Sequence, residues 1–159
     1  MKAKHHFWSS LAVGGVLYLS TQSFTVVAGT MLGGFFIDAD HVVDQLWSIY
    51  HGAPHTKKAA ALAARQKGLK GWVARFVYRR KLTRLPLIFH SYELMTVLLI
   101  CTLIWRTPFF TGLLAGYVLH ILLDLYRHHT EFRSPFFYSI FFRMTQGFRR
   151  DSLIKSDYL

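Results

Sequence analysis

The 159 residues carry 19 Lys+Arg against 8 Asp+Glu, a formal net charge of +11, yet 52% of the chain is hydrophobic and 16% aromatic. That pairing excludes a disordered basic tail, which would lack the apolar residues, and fits poorly with a soluble basic globule; it suits a small membrane protein with basic ends. The single cysteine, Cys101, excludes an intrachain disulfide framework and a Cys-rich zinc finger, so any metal must be held by His, Asp and Glu.

No charged residue occurs from Phe7 to Ile37, a 31-residue run. It is too long for a signal-peptide core, and it closes on Asp38-Ala-Asp40-His41 where a cleavage site would need small residues. One straight helix of that length would measure about 46 Å, against a bilayer core about 30 Å thick. The polar cluster Ser20-Thr-Gln-Ser23 therefore predicts a turn, with helices over His6 to Leu19 and Phe24 to Asp44.

From Gln45 to Tyr92 there are ten cations and no acid. Its middle, Ala59 to Tyr78, predicts a basic amphipathic helix lying on anionic lipid. Two apolar segments follow, Leu85 to Trp105 and Pro108 to Tyr126, joined tightly through Arg106-Thr-Pro. The remaining stretch, Arg133 to Leu159, sets Phe136-Phe-Tyr-Ser-Ile-Phe-Phe142 among arginines and predicts an interfacial tail. The expected fold is one all-α domain over 1–159: four short membrane-embedded helices and the interfacial helix. Arg106 is the only cation on the loop between the third and fourth helices. The positive-inside rule accordingly puts both termini and the basic loop, Gln45 to Arg84, on the cytoplasmic side of a bacterial-type inner membrane.

This arrangement brings His5 and His6, then Asp38, Asp40, His41 and Asp44, then His90 and Glu93, then His120 and Asp124 to one end of the bundle, with five of the eight acids among them. Ionisable groups at membrane depth are costly, and a shared cation makes them tolerable together. His120 and Asp124 are four apart, and Asp38 and His41, like His90 and Glu93, three apart, so each pair shares a helix face. Acids at the end of the second helix also oppose its macrodipole, which a cation would offset. The expected ligands are His6, Asp38, Asp40, His41, His90, His120 and Asp124. A nitrogen and oxygen set of this kind suits zinc, and also manganese or iron, as one or two ions. His51 and His55 are further imidazoles on the basic loop, while His128 and His129 are expected at the interface.

Gly33-Gly-Phe-Phe-Ile-Asp38-Ala-Asp40-His41, His90-Ser91 and Gly116-Tyr-Val-Leu-His120-Ile-Leu-Leu-Asp124 resemble successive motifs of the YdjM-like inner-membrane family of predicted metal-dependent hydrolases, over about positions 5 to 126. Phe36-Ile37 departs from that family's usual Leu-Pro before the first acid, and Arg84-Leu-Pro-Leu-Ile-Phe replaces a commonly found His-Arg-Gly. The resemblance implies a metal-assisted hydrolase.

The resulting expectation is hydrolysis of a phosphoester, a phospholipid or other lipid-linked phosphate, with Glu93 or Asp44 as general base. Arg79, Arg80, Lys81 and Arg84 are expected to bind the substrate phosphate. The rival readings are a metal-handling membrane protein and a non-catalytic adaptor whose cations hold anionic lipid or, less favoured, nucleic acid.

Overall fold

The computed structural model describes residues 3–44 and 84–155. The basic amphipathic helix expected over Ala59 to Tyr78, the three cations Arg79, Arg80 and Lys81, and the loop histidines His51 and His55 lie outside them.

Helix α1 (Ala3–Thr21) turns into α2 (Phe24–Gly34) at the expected polar cluster, where Gln22 takes a left-handed φ of 50°. Beyond α2 the chain tightens into a 3-10 turn, Phe36–Ala39, and resumes α-helix over residues 40–44. After residues 84–91, which are not helical, come α3 (Tyr92–Trp105) and α4 (Pro108–His128). A second 3-10 turn, Pro135–Tyr138, and two short helices, α5 (Ile140–Thr145) and α6 (Arg150–Leu153), follow. Among the described residues there is no strand, only the isolated bridges Arg84 to Arg149 and Phe132 to Ile154.

The third helix starts seven residues later than its apolar pattern suggests. Pro86 disfavours helix before it and Leu87 adopts φ 42°, so the helical start falls to Ser91, whose hydroxyl accepts from the Leu94 N–H at 3.1 Å. Tyr117 of α4 fastens this non-helical stretch. Its hydroxyl lies 2.7 Å from the carbonyls of both Phe89 and Ser91 and accepts from the Ser91 N–H at 2.9 Å.

Residues 24–44 and 108–128 are each long and apolar enough to cross a membrane. Helix α3 is apolar too, but its 14 residues give only about 21 Å. Helix α1 places Lys4, His5, His6, Ser9 and Ser10 in its first half, which makes it the most polar of the four.

The closest packing joins α2 to α4. Gly29 and Gly33 face Gly112 and Gly116, so backbones meet where side chains would normally separate them. A Cβ added at any of the four would fall 2.1–2.2 Å from a backbone carbonyl oxygen of the partner helix. Small residues four apart on apolar helices permit this approach. Helix α1 packs on α2 and α4, and α3 on α4. The C-terminal stretch folds over one end of the bundle, contributing Phe137, Tyr138, Leu153 and Ile154 to a buried core with Ile37, Leu85, Leu87, Tyr117 and Ile121.

Candidate metal centre

Four side chains from three segments converge at that capped end. Asp38 comes from the 3-10 turn, His90 from the stretch before α3, and His120 and Asp124 from successive turns of α4. One ligand atom from each lies within 4.8 Å of all the others. His90 Nε2 is 3.0 Å from His120 Nε2, 3.6 Å from Asp38 Oδ1 and 3.7 Å from Asp124 Oδ2. His120 Nε2 is 3.5 Å from Asp38 Oδ1 and 3.2 Å from Asp124 Oδ2. A tetrahedral ion with ligands at about 2.0–2.2 Å separates its ligand atoms by about 3.3–3.6 Å. The four groups therefore could hold one ion with only small adjustments.

Hydrogen bonding at the far side of each ring strengthens this reading. His120 Nδ1 is 2.7 Å from the Gly34 carbonyl, and His90 Nδ1 is 3.2 Å from Asp40 Oδ2. A carbonyl accepts only, and an ionised carboxylate likewise, so each Nδ1 carries the proton and donates it. In neutral rings both Nε2 atoms then present lone pairs to one another at 3.0 Å, an arrangement that a shared cation or proton resolves. Donation from the outer ring nitrogen to an oxygen is the usual way a metal-binding imidazole is oriented.

Asp40 is therefore a support. Its Oδ2 accepts from the Phe89 N–H at 2.7 Å and the His90 N–H at 3.3 Å as well as facing the His90 ring. Asp38 lies in the 3-10 turn and Asp40 just beyond it, and Asp40 is not among the four groups whose ligand atoms converge. Burial works to lower the pKa of His90, but bonds to Asp38 and Asp40 and the charges of Asp40 and Asp124 overcome it and push the value up to about 9. The local field favours positive charge at His90, whether a proton or an ion supplies it.

His6 is buried against Asp124, its Nε2 3.1 Å from Oδ1, with its ring stacked 4.0 Å from that of His120. Among the described residues the cluster is most exposed at Asp38 and His41. Asp38 is 26% exposed and His41, with Nε2 3.6 Å from Asp38 Oδ1, is 53% exposed, whereas the His90, His120 and Asp124 side chains are at most 8% exposed.

The remaining expected residues sit elsewhere. Glu93 faces the C-terminal cap, its carboxylate accepting from the Ser139 hydroxyl at 2.6 Å and the Ile140 N–H at 2.9 Å, which anchors the start of α5. Asp44 is buried, and among the described residues its Oδ2 has no hydrogen-bond partner. Arg84 is exposed and pairs through its backbone with Arg149. His128 bonds Glu131 at 2.7 Å, and His129 is exposed.

Three contributors escaped the sequence reading. Gly34 supplies a carbonyl, Tyr138 stands 6.4 Å from His90 ring to ring, and Arg143 donates from Nη2 to the His90 carbonyl at 3.0 Å. Arg143 is fully buried. Burial lowers its pKa against the opposing charges of Asp40, Glu93 and Asp44. The aromatic tail thus holds the loop that carries His90. Its motif gave no sign of this, since nothing in Phe-Phe-Tyr-Ser-Ile-Phe-Phe distinguishes a cap from an interfacial anchor. Set beside known protein families, curated proteins and solved structures, the chain matches none.

Proposed function

We propose that the protein is a membrane-embedded, metal-dependent hydrolase of phosphoesters, with its ligand-bearing end at the cytoplasmic face of the inner membrane. The observation that carries this reading is the convergence of Asp38, His90, His120 and Asp124 with both imidazoles oriented from behind. The likeness of the Asp38 to His41, His90-Ser91 and Gly116 to Asp124 motifs to the YdjM-like hydrolases agrees with it.

Zinc, manganese or iron at these ligands would lower the pKa of water and polarise a phosphoryl oxygen. Asp38 is the ligand at the open side, so substrate and water reach the centre past Asp38 and His41. His41 is also the imidazole best placed to take a proton there, because Glu93 is engaged at α5. His90, His120 and Asp124 are shielded from water, which strengthens their electrostatic interactions. The excess of cations, including those of the basic loop, suits an anionic phosphate, and two membrane-length helices favour a lipid-linked one over a soluble one.

The test is turnover by detergent-purified protein, loaded separately with zinc, manganese and iron, on phospholipids, other lipid-linked phosphates and soluble phosphodiesters. Metal-dependent release of phosphate or a phosphorylated headgroup, abolished by chelation and lost in His120→Ala, is expected. No metal-dependent turnover on any of the panel would overturn the enzyme reading and leave the ion a structural role.

A further inference from the structure

A groove of about 320 Å³ runs between α2, α3 and α4, lined by Leu32, Phe36, Ile37, Phe89, Leu98 and Leu113 among others. Among the described residues that line it, the one side-chain polar group is the Tyr117 hydroxyl, already engaged with the backbone of Phe89 and Ser91. Water inside would find nothing to bond, so an apolar occupant is favoured.

The rim identifies that occupant. Leu32, Phe36 and Phe89 are 48%, 55% and 46% exposed, and α3 also exposes the apolar side chains Val97, Leu99 and Ile100. Leu32 and Phe36 lie within residues 24–44, a segment long and apolar enough to cross a membrane, so a bilayer around that segment would present acyl chains to the mouth. The volume lies at the lower end of ligand sites, which run to about 300–1,000 Å³, and suits one hydrocarbon chain. The inner end adjoins the candidate centre through the chain itself. Ile37 precedes Asp38, Phe89 precedes His90, and Tyr117 lies one turn before His120.

We propose that this groove holds one acyl or prenyl chain of the substrate, which enters sideways from the bilayer and brings its phosphoester to the ligands. The proposal rests on the hydrolase reading for the word substrate, but the groove's occupancy by a lipid chain is measurable without turnover.

The experiment places full-length protein in phosphatidylglycerol nanodiscs doped with an analogue bearing a diazirine in one acyl chain. Mass spectrometry then maps the photolabel in wild type, in Leu98→Trp, which fills the groove, and in Leu32→Trp, a milder block at its mouth. An unfolding temperature at the wild-type level certifies each variant's fold. Label on Phe36, Phe89, Leu98 or Leu113 at least fivefold above that on the outward Leu103 and Trp105 is expected, falling to the outward level in a folded blocked variant. With turnover in hand, the ratio of kcat/KM for long-chain over short-chain phosphoesters should fall at least tenfold in the same variant. Uniform labelling, labelling unchanged by both blocks, or protein-to-protein crosslinks from these positions showing a second copy in the groove would overturn the proposal. Groove labelling that is lost on blocking, in a protein that hydrolyses nothing, would keep the lipid site and remove the hydrolase reading alone.

Discussion

Replacing Gly116 by Ala tests whether the close helix packing sets the candidate site. Gly116 lies one turn before His120 on the α4 face against α2, and an added Cβ would sit 2.2 Å from the Thr30 carbonyl oxygen and 2.9 Å from the Gly34 nitrogen. An ordinary carbon-to-oxygen contact is about 3.3–3.6 Å, so the helices must part by roughly 1 Å there. His120 moves with α4 while Gly34 stays with α2, and their 2.7 Å hydrogen bond would stretch beyond about 3.5 Å, where it no longer counts. Asp38 follows Gly34 by four residues and separates from His120 and Asp124 in the same direction. Loss of such an orienting bond lowers metal affinity about 10–100-fold, and overpacking of this kind destabilises by about 1–3 kcal/mol. Competition of the purified variant with a zinc chelator, alongside thermal unfolding, measures both. Gly15→Ala is the control, since a Cβ there meets nothing within 4 Å and should leave zinc affinity alone. Wild-type zinc affinity in Gly116→Ala would refute the coupling of packing to site.

Asp40→Asn keeps size but weakens the acceptor behind His90, so zinc affinity should fall about 10–100-fold in the same competition assay while the protein stays folded. Glu93→Gln removes a charged acceptor from the Ser139 hydroxyl and the start of α5, predicting a loss of about 1–2 kcal/mol seen as a lower Tm, with zinc content retained. His90 in the metal-free protein stays protonated up to a pH of about 9, so an ion must displace that proton. Binding at pH 7.5 should therefore release about one proton per ion through His90, and affinity should fall about tenfold from pH 7.5 to 6.5, read by calorimetry in buffers of different ionisation enthalpy.

The turn at Gln22 and the pairing of His120 with Asp124 were legible because each depends only on local spacing. The set of seven ligands was less so, because Asp38 lies in the 3-10 turn and Asp40 just past it, which sends Asp38 toward His120 and Asp40 behind His90. His90 is placed by Pro86, Leu87 and the Tyr117 hydroxyl, contacts that apolar periodicity does not encode, and the same periodicity carried the third helix too far back. Glu93 shares a spacing with His90 that would put both on one face only if Leu85 onward were helical. Gly29, Gly33, Gly112 and Gly116 carry a signature of the α2 to α4 contact, two small residues four apart on each of two apolar segments, which the expectations from sequence did not include. The capping role of Phe137, Tyr138 and Arg143 follows from long-range packing and has no local mark.

The most direct test of the account is X-ray absorption at the zinc edge of zinc-loaded, detergent-purified protein beside His120→Ala, with zinc per chain measured on the same samples. One ion per chain with four nitrogen or oxygen neighbours at about 2.0–2.2 Å is expected. Two of these should show imidazole scattering, and His120→Ala should retain little zinc or show one imidazole fewer. Absence of stoichiometric zinc in the wild type, or an unchanged spectrum and content in His120→Ala, would contradict it.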